Sequence, residues 1–141
     1  MSRIAYVNGA YVPMDMAFVH IEDRGYQFSD GVYEVVSIRR GKLIDEEAHL
    51  VRLKRSLDEL SIDVPMSRGA MKLIFREVVR RNRVSDALLY IQVTRGVAKR
   101  DHAFPANTPP ALVITCRRFD FDAVKERSKV GIKVASQPDN R

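Results

Sequence analysis

Four short clusters in this sequence carry side chains able to do chemistry: Tyr33 with Glu34, His49 with Arg52, Tyr90, and Arg100 with His102. The first pair lies in a run from Gly31 to Ile38 rich in residues that favour strands. Side chains alternate along a strand, so Tyr33, Val35 and Ser37 share one face and Val32, Glu34 and Val36 the other. A phenol and a carboxylate therefore project to opposite sides of one strand. His49 and Arg52, three apart, lie on the same side of a helix. A guanidinium presents several fixed donors and suits a pair of phosphate oxygens. Taken alone, Arg52 reads as a solvated arginine and His49 as a packed or capped histidine. Tyr90 shares a strand face with Gln92 and Thr94; it is either a core aromatic with a satisfied hydroxyl or part of a site lining. Where the chain around residue 101 is extended, Arg100 and His102 point the same way, two donors able to grip one carboxylate. A solvated loop is the plain alternative.

These side chains need elements to hold them. Arg3 to Val7 alternates as a strand, Asn8-Gly9 is a strong hairpin signal, and Ala10 to Val12 returns as its partner before Pro13. Met14 to Ile21 reads as an extended segment. Asp23 to Asp30 reads as a turn-rich stretch, with Gly25 and Gly31 permitting positive φ or close backbone approach. In that stretch Asp23 and Asp30 hold the turn through nearby amides. A strand runs from near Val32 to Arg39, turned by Arg40-Gly41 onto Lys42 to Ile44. Asp45 is a natural N-cap, and Glu46 and Glu47 suit the positive end of a helix. Leu50, Leu53, Leu57 and Leu60 form one apolar helical face. Ser67 caps a second helix reaching about Arg81, with Met71, Ile74, Phe75 and Val78 as its stripe.

Leu88 to Thr94 and Ala111 to Arg117 are further strands, joined by a long loop over Val97 to Pro109 of the kind often functional in compact domains. Phe119 to Lys129 shows no strong pattern, Asp120 to Asp122 reads as a domain boundary, and Val130 to Ala135 reads as the start of another strand. The result is an α+β domain over residues 1–121, an antiparallel sheet with two helices on one face. Residues 122–141 read as a linker and the beginning of a second domain.

Composition narrows the class. The chain has 141 residues, 45% of them hydrophobic and 30% charged, as in soluble globular domains. No apolar run approaches the roughly 20 residues that span a bilayer, and the N-terminus lacks a signal-peptide pattern; cytoplasm fits best. The net charge of +6 allows attraction to anions. Its arginines and lysines are scattered in pairs, and no nucleic-acid-binding signature accompanies them. No metal site is read. Cys116, the single cysteine, lies in an apolar run and reads as a buried structural thiol.

The stretch Asp23-Arg-Gly-Tyr-Gln-Phe-Ser-Asp-Gly-Val-Tyr-Glu-Val-Val36 resembles the N-terminal signature of fold-type IV pyridoxal-phosphate enzymes, and most closely that of D-amino acid aminotransferases. Ser29 stands where that family usually has glycine. The resemblance implies the small α+β N-terminal domain of that fold type. It also implies that Arg52, in His49-Leu-Val-Arg-Leu53, contacts the cofactor phosphate, with His49 as supporting structure and Tyr90 as possible site lining. Tyr33 and Val35 fall in the substrate pocket. By the same resemblance, Arg100 and His102 are expected to reach into the neighbouring subunit of a homodimer and to form a carboxylate trap with its Tyr33. That pair sets the D-amino acid enzymes apart from branched-chain aminotransferases and aminodeoxychorismate lyase, the alternatives within the group. The Schiff-base lysine of the family does not match any residue here: Lys133 falls in the lead-in to it but on an apolar-alternating stretch. The resemblance thus covers about half of a family member, expected to be inactive alone. A non-catalytic binding or dimerisation domain of the same fold is the reading from another class.

Overall fold

The computed structural model describes residues 3–139. Strands β1 (Ile4–Val7) and β2 (Ala10–Pro13) form the first hairpin. Asn8 and Gly9 both take positive φ, 45° and 101°, as a tight two-residue hairpin turn demands. A 3₁₀ turn at Met14–Met16 and a short helix α1 (Arg24–Phe28) follow. Then come β3 (Gly31–Arg39), β4 (Lys42–Leu43), helices α2 (Glu46–Glu59) and α3 (Arg68–Asn82), β5 (Ala87–Thr94), β6 (Ala111–Arg118) and α4 (Phe121–Val130). The sheet has six strands in the order β2-β1-β6-β5-β3-β4, and all its pairings are antiparallel.

Period and burial agree where the core forms. Val36 and Ile38 of β3, Leu89 and Ile91 of β5 and Ile114 of β6 all face α2 and α3. Leu50, Leu53 and Leu57 of α2 and Phe75 and Val78 of α3 answer them from the helical side. Helix α2 lies over β3, and α3 over β1 and β6. The opposite face of the sheet, with Tyr33, Val35, Tyr90, Gln92 and Thr115, carries neither of these two helices and is half-buried to exposed. The expected α+β architecture with two helices on one face is the one observed.

Several local expectations differ. Asp45 stands at the N-cap position of α2 but in left-handed conformation, and its side chain makes no cap hydrogen bond. Leu60 ends α2 rather than extending its stripe and is exposed. Met14 to Ile21 is not simply extended, since it opens on the 3₁₀ turn. The Asp23 to Asp30 turn contains α1, capped by Asp23, whose carboxylate accepts from the Gly25 amide at 2.8 Å. Phe119 to Lys129 is largely helix: Asp120 caps α4, accepting from the Ala123 amide at 2.9 Å. The strand expected at Val130 to Ala135 is not formed; α4 runs through Val130, and residues 131–139 are exposed and without regular structure.

Gly25 and Gly31 are required by close approach rather than by positive φ. A Cβ on Gly25 would run into the Thr94 methyl, and one on Gly31 would stand 2.7 Å from the Val93 carbonyl oxygen. No helix among the described residues is long and apolar enough to cross a membrane.

Candidate active site

The outer half of β3 organises the site. Strand β4 pairs only with Ile38 and Arg39, while the inner side of β3 pairs with β5 along its whole length, Gly31 opposite Thr94 to Ile38 opposite Ala87. Residues 31–36 thus form an outer edge of the sheet. Alternation at this edge puts Glu34 inward, 3% exposed, and Tyr33 outward, 65% exposed. Tyr33 stacks on Tyr90 across the β3–β5 pair, ring centroids 5.7 Å apart. The Tyr90 hydroxyl donates to Gln92 Oε1 at 2.9 Å. Burial, with Tyr33 beside it, raises the Tyr90 phenol above its ordinary range. Tyr90 is therefore a half-buried member of the open face with a satisfied hydroxyl, and not a residue of the core.

On the inner side, Glu34 receives both candidates from α2. Arg52 donates from Nε to Oε1 and from Nη2 to Oε2, each at 2.6 Å. His49 Nδ1 lies 2.7 Å from Oε2. Burial pushes the Glu34 carboxyl up, but hydrogen bonds from Arg52 and His49 outweigh it and hold the group below its usual value. Glu34 in turn raises the Arg52 guanidinium. The side-on fork leaves Arg52 Nη1 on the far side of the guanidinium, and the side chain is 59% exposed. Arg52 is thus held at the sheet edge with one donor edge turned outward. Tyr33, Glu34, Val35, Arg52 and Ser56 line a shallow depression of about 290 Å³ there.

Arg100 and His102 are brought together elsewhere. Both seat on Phe28 of α1: the Arg100 guanidinium carbon is 5.1 Å from the ring centroid, and the His102 ring 5.6 Å. Both are exposed, and within the chain they are not brought to Tyr33.

The sequence reading missed a buried cluster beneath that loop. Asp30, expected to hold a turn through backbone amides, instead accepts from two guanidiniums. Arg24 Nε and Arg95 Nε each lie 2.7 Å from its Oδ2, and Arg95 Nη2 lies 3.0 Å from Oδ1. Burial again works against the charged carboxylate, and the hydrogen bonds from Arg95 and Arg24 win, lowering it. Arg24 and Arg95 are themselves 3% and 7% exposed, which is unusual for arginine unless it is paired. One signal was available: each stands directly before a glycine, Gly25 and Gly96, where the backbone is closely packed.

A family model described as amino-transferase class IV matches residues 31–141. A D-alanine aminotransferase of Bacillus licheniformis is 37% identical over 134 residues, which are 95% of this chain and 47% of that protein. One of Staphylococcus epidermidis is 35% identical over 137 residues, 96% of this chain and 48% of that one. The chain therefore spans about half the length of these curated relatives. Among solved structures, a branched-chain amino acid aminotransferase from Escherichia coli superposes with a TM-score of 0.78 at 20% identity, over 84% of this chain and 42% of that one. A branched-chain aminotransferase from Thermoproteus uzoniensis, with norvaline, gives 0.72 at 20% identity, over 85% and 42%. At such identities the likeness is one of fold.

Proposed function

The chain belongs to the class IV aminotransferase family, and from that premise we propose that it supplies half of a pyridoxal-phosphate-dependent D-amino acid aminotransferase. The reaction would move the amino group of a D-amino acid such as D-alanine to a 2-oxo acid. The observation that carries this reading is the edge of β3. One strand presents Tyr33 on its open face and, through Glu34, holds Arg52 on the other, around one depression. The relatives named D-alanine aminotransferase support the substrate class.

The residues present fit the phosphate end of the cofactor. Arg52 is charged, fixed by a buried carboxylate and still free along one donor edge, which suits an oxyanion. His49 braces the same carboxylate and keeps the fork in register. When bound, pyridoxal phosphate supplies the electron sink that transamination needs. Tyr33 and Val35 would wall the substrate side, with Tyr90 stacked behind Tyr33. Arg100 and His102 would bind the substrate carboxylate in the neighbouring subunit of a homodimer, since their own loop holds them over Phe28. The lysine such chemistry requires is assigned to the half of the relatives' length that this chain does not span. Residues 1–121 are assigned to the N-terminal domain and 122–141 to the connection.

The test is pyruvate release from D-alanine with 2-oxoglutarate, by a protein joining these residues to that second half. Arg100→Ala should raise KM for D-alanine roughly tenfold to 150-fold, the value of one charge-assisted hydrogen bond. Equal turnover of L- and D-alanine, or an unchanged kcat/KM in the variant, overturns the assignment.

A further inference from the structure

Asp101 lies between Arg100 and His102, and its carbonyl oxygen accepts from Arg24 Nη1 at 2.7 Å. The same Arg24 gives Nε to Asp30. Arg95 shares that carboxylate and also reaches beyond it: Nη1 donates to the Ser61 carbonyl at 2.9 Å, and Nη2, besides its bond to Asp30, donates to the Leu60 carbonyl at 2.8 Å. Leu60 is the C-cap of α2, the helix that carries Arg52, and Ser61 directly follows it. Phe104 closes the cluster from outside, its ring centroid 4.2 Å from the Arg95 guanidinium carbon and 6.0 Å from that of Arg24. Backbone bonds tighten the same knot: the Arg24 amide donates to the Gly96 carbonyl and the Arg95 amide to the Asp30 carbonyl.

We infer that Asp30, Arg24 and Arg95 are positioning residues that tie the loop bearing Arg100 and His102, and the end of the helix bearing Arg52, to a single carboxylate. Arg24 acts on the loop and Arg95 on the helix. The loop between β5 and β6 has no strand of its own to define its path, yet two neighbouring side chains in it must meet one small carboxylate. A buried guanidinium on the intervening carbonyl fixes the backbone at the one residue flanked by both. This inference rests on the substrate and phosphate roles proposed above, but its first test does not.

Arg24→Lys keeps a charge beside Asp30 and removes the donor to Asp101. In this chain, trypsin should then cut after Lys99 and Arg100 about tenfold faster than in the wild type, the value of one charge-assisted bond. Phe104→Leu, at an exposed ring whose loss leaves the core intact, should give a smaller acceleration. Equal cutting rates in both variants overturn the tether. In the two-domain protein, Arg24→Lys should raise KM for D-alanine about tenfold with kcat within about twofold. Combined with Arg100→Ala it should add less than its effect alone, since only His102 is then left for the loop to place. An additive double variant, or an unchanged KM for Arg24→Lys beside a raised KM for Arg100→Ala, overturns the positioning role. Should Arg100→Ala itself leave KM unchanged, the carboxylate reading fails while the proteolysis result still decides the tether.

Discussion

Glu34 and Arg52 meet across the outer edge of β3 as a side-on fork, Nε on one carboxylate oxygen and Nη2 on the other, both at 2.6 Å. The carboxylate is buried and the guanidinium half out in solvent. Glu34→Gln keeps the shape and removes the charge that orients Arg52. Affinity of the two-domain protein for pyridoxal phosphate should fall about tenfold, one charge-assisted bond, as read by fluorescence titration. An unchanged affinity would show that Arg52 needs no such brace.

Asp30 and Glu34 make stability depend on pH in one direction. Both carboxyls are held below their ordinary value in the folded state, by guanidinium and histidine hydrogen bonds that outweigh burial. Their contribution is fully present above the unfolded carboxylate range, about 4, and is lost as pH falls through the lower folded values. The urea midpoint should stay level from pH 8 to 5 and drop below about 4. Asp30→Asn should cost about 3–5 kcal/mol at neutral pH, since two buried arginines lose their counter-charge, and should flatten the acid limb.

Two glycines should respond oppositely to alanine. At Gly31 the new Cβ meets the Val93 carbonyl oxygen at 2.7 Å and Thr94 Cα at 3.0 Å, backbone atoms that cannot turn aside. Gly31→Ala should lower stability by about 1–3 kcal/mol. At Gly69, in the first turn of α3, an added Cβ would meet nothing within 4 Å, and Gly69→Ala should raise stability by up to about 1 kcal/mol. Paired thermal melts read both signs.

Cys116 is 1% exposed, and burial pushes its thiol up to about 11. At pH 8 it should react with a thiol reagent only as fast as the domain opens, and promptly in denaturant. Rapid labelling of the native chain would contradict its place in the core.

This chain, mixed with pyridoxal phosphate and reduced with borohydride, should show scattered or no lysine labelling by mass spectrometry. One stoichiometric site would place the covalent chemistry within these residues.

What the sequence showed depended on whether burial left a period in it. Leu50, Leu53 and Leu57, or Met71, Phe75 and Val78, were legible because each helix presents one face to a sheet. Helix α4 was not, because none of its residues is buried and no stripe exists to read. Its signs were the capping Asp120 and the basic Arg127 and Lys129 in its last turn. Helix α1 has only five residues, too few for a repeat. Within the site, Arg52 and His49 were legible as neighbours on one turn. Their partner Glu34 was seen only as a carboxylate facing the other way from Tyr33. The bonds from Arg95 to Asp30 span 65 residues, and their existence depends on Gly31 pairing with Thr94. Strand register of that range leaves no local trace.

The outer edge of β3 has one more consequence. An unpaired strand edge offers its amides and carbonyls to any other extended chain, and two copies can zip together edge to edge. Here the Glu34–Arg52–His49 group sits against that edge with its charge, and Tyr33 and Val35 leave apolar surface on the adjoining face. The ion pair of Glu34 with Arg52 thus places charge where it opposes such pairing, and Glu34→Gln should lower solubility as well as the affinity proposed for Arg52.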